Sequence, residues 1–235
     1  MAQQLPDGVN EQQLAQWIVA SLAENKNFLS SGLQGQTLIY KDSQPQLVIK
    51  IPHGRALMCW LNKRTLQHEY DIYQRLQGFA AVPRCYGMID QQYLAIEYIP
   101  GQAIRHQRPI NEGIYFARLL EDIKQLHDHG VAHMDLKKRD NLMVTDIDLP
   151  CIIDFGAAVV YKPGFHPFNH FWYALAQQFD YNAWFVHKYR DQPEDIITDI
   201  DRAYFKRTLT ERVSHKIKRF YKDHLRYIFK RRGRS

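Results

Sequence analysis

Apolar residues recur at helical spacing at Leu14, Trp17, Ile18 and Leu22, behind Asn10 and Gln13, so residues 10–23 are predicted to form a short amphipathic helix. From Phe28 the pattern changes to short apolar runs bounded by Gly, Pro and Asp. Residues 37–40, 47–51, 85–89 and 93–99 read as strands, with one helix over 63–76 between them. Strands, one helix, then strands is the order of a small antiparallel sheet carrying a packed helix. Past Pro100-Gly101 the chain turns mostly helical, and Phe116, Leu119, Leu120, Ile123 and Leu126 share one face of a helix that ends near Gly130. Gly101 marks a candidate hinge. There is no internal repeat and no low-complexity linker.

Composition narrows the class. A chain of 235 residues with 45% hydrophobic and 24% charged positions suits one compact unit, or two small lobes sharing a cleft. The longest stretch without Asp, Glu, Lys or Arg, 163–179, contains two prolines and several polar residues, so it does not read as a spanning helix. The start lacks a basic region followed by an apolar one, and a cytoplasmic protein is expected. Cys59, Cys85 and Cys151 lack metal-ligand spacing and read as core thiols. The net charge of +6 is uneven: residues 216–235 hold nine Lys or Arg against Asp223 alone, a local +8 that leaves −2 on the rest. The basic character belongs to a tail, so the overall charge is no argument for nucleic-acid binding, which is not expected of the chain as a whole. In that tail Ile217, Phe220, Tyr221, Leu225 and Ile228 fall on one helical face, and Arg219, Lys222, Arg226 and Lys230 on another. A basic amphipathic helix over 212–231 follows, suited either to docking on the core or to peripheral contact with an anionic surface: a membrane leaflet, a phosphorylated glycolipid or RNA.

The chemistry-bearing residues cluster after Gly130: His133-Met134-Asp135-Leu136-Lys137, then Asp140-Asn141, then Asp154-Phe155-Gly156. Upstream lie Leu47-Val-Ile-Lys50, Glu69 nineteen residues on, and Ile96-Glu97-Tyr98-Ile99-Pro100-Gly101. Asp-Phe-Gly alone is a weak signal, but the ordered set resembles the protein-kinase-like superfamily over about residues 28–160. The resemblance implies an α+β, two-lobed kinase-like fold, with an antiparallel N-lobe sheet plus one helix and a mostly helical, truncated C-lobe. It divides the chain into an N-terminal helical extension (1–27), an N-lobe (28–100), a C-lobe (101–211) and a basic amphipathic tail (212–235).

It also implies roles. Lys50 would hold the α and β phosphates of ATP, with Glu69 fixing its ammonium by a charge-assisted hydrogen bond. Asp154 would coordinate Mg²⁺, Asp135 would orient the acceptor hydroxyl, and Lys137 would contact the γ-phosphate. Glu97 and Ile99 would meet the adenine. Gly32 and Gly35 match the last two glycines of the phosphate-covering loop, whose first glycine is replaced by Ser30. The second metal ligand is expected five residues after the catalytic Asp, where this chain has Asp140 and puts Asn141 one further on. Either a residue has been inserted or Asp140 takes the role; Asn141 is preferred, because Asn141-Leu-Met-Val144 then leads into a strand.

Met134 in place of Arg removes the cation that would pair with a phosphorylated activation loop, and no Ala-Pro-Glu motif follows Gly156. The short segment after the metal motif resembles the bacterial lipopolysaccharide-kinase and RIO-like branch. The expected activity is therefore phosphotransfer from ATP to a hydroxyl of an inner-core lipopolysaccharide sugar on an anionic glycolipid. A RIO-like protein serine/threonine kinase is the first alternative and a catalytically silent nucleotide-binding scaffold the second. His166 and His170 imitate a metal pair but lack a third ligand, so packing is favoured. Asp180 is a candidate anchor for the catalytic loop, with a surface role the alternative.

Overall fold

The structure is a computed structural model that describes residues 5–31, 35–52, 56–190 and 197–206. Helix α1 (Glu11–Ala23) starts at Asn10, whose side chain accepts hydrogen bonds from the backbone N–H of Gln12 and Gln13. Strands β1 (Phe28–Ser31), β2 (Gly35–Tyr40), β3 (Leu47–Pro52), β4 (Cys85–Ile89) and β5 (Tyr93–Glu97) form an antiparallel sheet in the order β1-β2-β3-β5-β4. Helix α2 (Ala56–Arg75) connects β3 to β4.

Alternation along β3 decides what the sheet presents. Leu47, Ile49 and Ile51 pack with Leu14 and Ile18 of α1, while Val48 packs with the α2 residues Ile72, Tyr73 and Leu76. Lys50 shares the face of Val48 and is thereby aimed at α2.

The second half begins with β6 (Gly101–Ala103), followed by α3 (Glu112–Asp128) and β7 (Val131–Ala132). A 3₁₀ turn at Arg139–Asn141 leads into β8 (Leu142–Thr145), β9 (Pro150–Ile152), β10 (Val159–Val160), α4 (Pro167–Lys188) and α5 (Asp199–Arg202). The strands make two small sheets, β6-β8-β9 and β7-β10. The buried face of α3, including Phe116, Leu119, Ile123 and Leu126, joins Phe155, Ile152 and Trp184 in a core that continues into α2. The architecture is the α+β sheet-then-helices arrangement expected from the sequence.

Some elements differ from expectation. Helix α2 begins at Ala56 rather than 63, because residues 56–62 are nearly all apolar and lack the polar face that periodicity detects. The strand expected over 93–99 stops at Glu97. Strands β1 and β6 were not expected: β1 carries two serines in four residues, and β6 starts at the glycine read as a hinge. The tail helix over 212–231 lies outside the described residues. No helix among the described residues is long and apolar enough to cross a membrane.

Candidate active site

Lys50 on β3 and Glu69 on α2 meet, with Nζ 2.6 Å from Glu69 Oε1 and both side chains largely buried. Glu69 Oε1 also accepts from the Phe155 backbone N–H at 3.2 Å, which ties the helix to the Asp154-Phe155-Gly156 turn. Lys50 Nζ lies 3.5 Å from Asp154 Oδ1. Burial pushes the Lys50 ammonium toward neutrality, but the carboxylates of Glu69 and Asp154 outweigh it and its pKa is raised. Burial likewise opposes ionisation of Asp154, and Lys50 and Lys138 overcome it, holding the carboxyl below its usual range. The site therefore keeps a charged Lys50 ammonium beside a charged Asp154 carboxylate.

Packing holds this group in place. Phe155 is fully buried, with its ring 5.3 Å from Tyr73 of α2 and 4.8 Å from His133. A side chain at Gly156 would put its Cβ 2.9 Å from Thr65 Cγ2, so glycine lets α2 approach the turn. Asp154 adopts φ +69° and Met134 φ +68°, conformations uncommon outside glycine that over-determined sites retain.

The catalytic loop hangs from a buried carboxylate. Asp180 on α4 is fully buried; its Oδ2 accepts from the His133 N–H at 2.7 Å and its Oδ1 from the Met134 N–H at 2.8 Å. His127 Nε2 lies 3.0 Å from the same Oδ2. Asp180 is thus an anchor, not a surface residue. His133 Nδ1 accepts from the Asp135 N–H at 3.3 Å, leaving Nε2 to donate to Ile153 O at 3.0 Å. These bonds brace the loop and give His133 no part at the acceptor.

Asn141 is buried and donates through Nδ2 to Asp135 O at 3.1 Å and to Asp135 Oδ2 at 3.3 Å. Asp140 instead pairs with Arg105, at 3.1 Å. Of the two candidates weighed from sequence, the structure brings Asn141 to Asp135 and turns Asp140 aside. The inserted residue has a second effect, a correction to the sequence reading. Leu136 is buried, Lys137 and Lys138 are both exposed, and of the two it is Lys138 whose Nζ lies 3.5 Å from Asp154 Oδ2. Counting back from Asn141 instead of forward from Asp135 would have picked Lys138.

Glu97 and Ile99 sit where β5 leaves the sheet toward β6. The Glu97 N–H donates to Arg84 O and the Tyr98 N–H to Gln46 O, both at 2.8 Å, so this crossing is pinned to its neighbours. Gly35 opens β2 opposite Pro52, and Gly32 lies outside the described residues.

Other candidates settle as packing. His170 stacks on Tyr161 and bonds Lys162 O, and among the described residues no cluster of three His, Cys, Asp or Glu side chains could hold a metal. Cys85 and Cys151 are buried thiols pushed up to about 11 and about 12, chiefly by burial, far from a reactive thiolate.

A metal at this site would draw on Asp154 and Asn141. Both offer hard oxygen ligands, and two protein ligands supplemented by phosphate oxygens are what Mg²⁺ takes at nucleotide sites. The residues present fit that group.

Comparison with known proteins agrees with the geometry. The protein kinase domain family matches residues 25–187. The chain is 29% identical over 145 residues to serine/threonine-protein kinase D of Synechocystis, covering 55% of this chain and 28% of that one. It is 26% identical over 147 residues to serine/threonine-protein kinase chk-1 of Caenorhabditis briggsae, covering 57% and 29%. To the striated muscle preferentially expressed protein kinase of Danio rerio it is 31% identical over 111 residues, 43% of this chain and 4% of that protein. The matched part spans less than a third of each relative.

Proposed function

We propose that this chain, which belongs to the protein kinase domain family, transfers the γ-phosphate of ATP to a hydroxyl group, with Asp135 orienting the acceptor. The carrying observation is the buried Lys50–Glu69 pair at 2.6 Å, joined to Asp154 on one side and to the Phe155 backbone on the other. Phosphoryl transfer leaves the protein little covalent work, so catalysis reduces to positioning and charge stabilisation. Lys50 would hold the α and β phosphates at a position fixed by Glu69. Asp154 and Asn141 would hold Mg²⁺, which when bound neutralises charge on the phosphate oxygens. Lys138 would offset charge developing on the γ-phosphate. Asn141 occupies Asp135 Oδ2, which leaves Oδ1 to accept the proton of the acceptor hydroxyl as its oxygen bonds phosphorus and ADP departs.

For the acceptor, the two most extensive matches described above are named serine/threonine kinases, which favours a protein hydroxyl over the lipopolysaccharide sugar expected from sequence. The sugar is the second reading. Only ten residues separate Gly156 from α4, too few to lay an extended peptide beside Asp135. A protein acceptor would then present its hydroxyl on a folded surface, in the RIO-like manner. We place the protein in the cytoplasm, with residues 212–235 able to contact an anionic membrane surface.

The test incubates purified protein with Mg-ATP and either protein lysate or lipid extract, comparing wild type with Asp135→Ala. Asp135-dependent label in protein is expected. Label confined to glycolipid would establish the sugar reading, and no Asp135-dependent transfer to either would make the chain a nucleotide-binding scaffold.

A further inference from the structure

Helix α4 is apolar on two faces. One face, with Tyr173, Ala176, Asp180, Ala183, Trp184 and His187, is buried against the rest of the molecule and carries the loop anchor. The other runs through Phe168, Phe171, Trp172, Leu175 and Phe179, spaced so that all five lie within about 100° around the helix. Its upper part is bare: Phe165 just before the helix is 92% exposed, Phe168 84%, Phe171 64% and Trp172 48%. The two faces adjoin, so α4 is apolar over well more than half of its circumference; that is the pattern of a buried helix, and contiguous exposed aromatics mark a surface that something covers.

The chain itself leads onto this face. Asn182, the next position along the stripe, donates through Nδ2 to Lys206 O at 2.8 Å and accepts through Oδ1 from the Lys206 N–H at 3.0 Å. Gln178 donates to Tyr204 O at 2.9 Å. Tyr204 packs on Tyr181 and Trp184, and Phe205 stacks on Phe185. The last described residues therefore already line α4, and the chain continues from the lower end of the bare stripe.

We infer that the bare aromatic face of α4 is the docking site of this chain's own segment 212–231, held by its apolar positions Ile217, Phe220, Tyr221, Leu225 and Ile228. The lengths match. From Phe168 to Phe179, short of Asn182 where Lys206 already covers the helix, the stripe is about 17 Å long, and Ile217 to Ile228 spans about 17 Å as helix. The ten residues from 207 to 216 reach up to about 36 Å when extended, enough to set the segment anywhere along the stripe. Docked this way, the segment turns Arg219, Lys222, Arg226 and Lys230 to solvent. The tail would then complete the helical lobe, independently of what the site phosphorylates.

Limited trypsin digestion of the full chain, read by mass spectrometry, tests this. Cleavage after Arg219 and Arg226 is expected to be about tenfold slower in the wild type than in Phe168→Glu/Phe171→Glu, since cutting follows the undocked population. The tail-side variant Phe220→Glu/Leu225→Glu leaves α4 untouched and should reproduce the acceleration, which separates undocking from misfolding. Equal cleavage in wild type and both variants would overturn the inference. So would a wild-type dimer that Phe168→Glu/Phe171→Glu dissolves, or vesicle binding lost in that variant with tail cleavage unchanged. Those results would assign the face to a second copy or to a membrane.

Discussion

Lys137 and Lys138 are adjacent and chemically identical, yet only Lys138 reaches Asp154. If Lys138 stabilises charge on the transferring phosphoryl group, Lys138→Ala should lower kcat about a hundredfold, in line with loss of one preorganised stabilising group. Lys137→Ala should stay near wild type; steady-state kinetics with saturating ATP distinguish them. Equal losses would mean the inserted residue leaves the loop able to use either lysine. Asp122 offers a second prediction at this scale. Its side chain is buried on α3, with Arg118 Nε 3.0 Å from Oδ1 but neither oxygen accepting a well-aligned hydrogen bond. Burial pushes its carboxyl up to about 6, against the pull of Arg118. Between the unfolded carboxylate range and pH 6 the folded state binds the extra proton, so stability is expected to fall as pH rises through that window. Asp122→Asn should flatten this loss and gain about 2 kcal/mol at pH 7, with the difference shrinking as pH falls from about 6 to about 4, as urea titrations at several pH values would show. Lys50, Glu69, Asp135 and Asp154 were legible from their order along the chain. The approach of Lys138 to Asp154 and the burial of Asp122 were not, because one depends on the path of the loop after Asp135 and the other on tertiary packing.

Elements carry the site through two fixed connections, α2 to the Asp154 turn through Glu69 and α4 to the catalytic loop through Asp180. The second is the more exposed to a single change, because Asp180 takes two backbone donors and sits beside His127 in a fully buried place. Asp180→Ala leaves those donors unpaired and should cost about 3 kcal/mol in urea unfolding, with kcat falling as Asp135 loses its support. Asp180→Asn retains one acceptor oxygen and should lose less. Gly101 tests a backbone constraint. It opens β6 at φ +141°, and a Cβ there would lie 2.2 Å from Val144 O, so Gly101→Ala must open the β6–β8 pair. A loss of more than about 1 kcal/mol is expected, readable as a lower urea midpoint. Sequence could not distinguish this glycine from a hinge, since both uses favour the same residue. The same reasoning explains why α1 and α3 were legible and the first turns of α2 were not. Periodicity reports one apolar face against one polar face, and residues 56–62 lack the contrast. Asp180 was legible as a candidate anchor from the aromatics around it, but the choice between anchor and surface residue rested on its burial, which the sequence alone does not give.

At the scale of the whole molecule, charge is segregated: a local +8 over residues 216–235 against −2 elsewhere. If the apolar face of the tail covers α4, membrane contact must come from the charges it leaves outside, Lys230, Arg231, Arg232 and Arg234 among them. These lie beyond Ile228, the last of the proposed docking positions, and beyond Phe229, so they can be removed without touching the docking residues. At about 1 kcal/mol per basic residue near an anionic surface, deleting 230–235 should weaken binding to phosphatidylserine vesicles by up to about a thousandfold at low salt. The difference should collapse as added salt shortens the screening length from about 10 Å at 0.1 M to about 3 Å at 1 M. Affinity for ATP and the trypsin protection of Arg219 should be unchanged, because neither depends on the deleted residues. Vesicle binding that survives the deletion would leave this charge a solvated helix face. Binding that survives high salt as well would mean that apolar side chains, not basic ones, carry the contact, and would set membrane binding in direct competition with docking on α4.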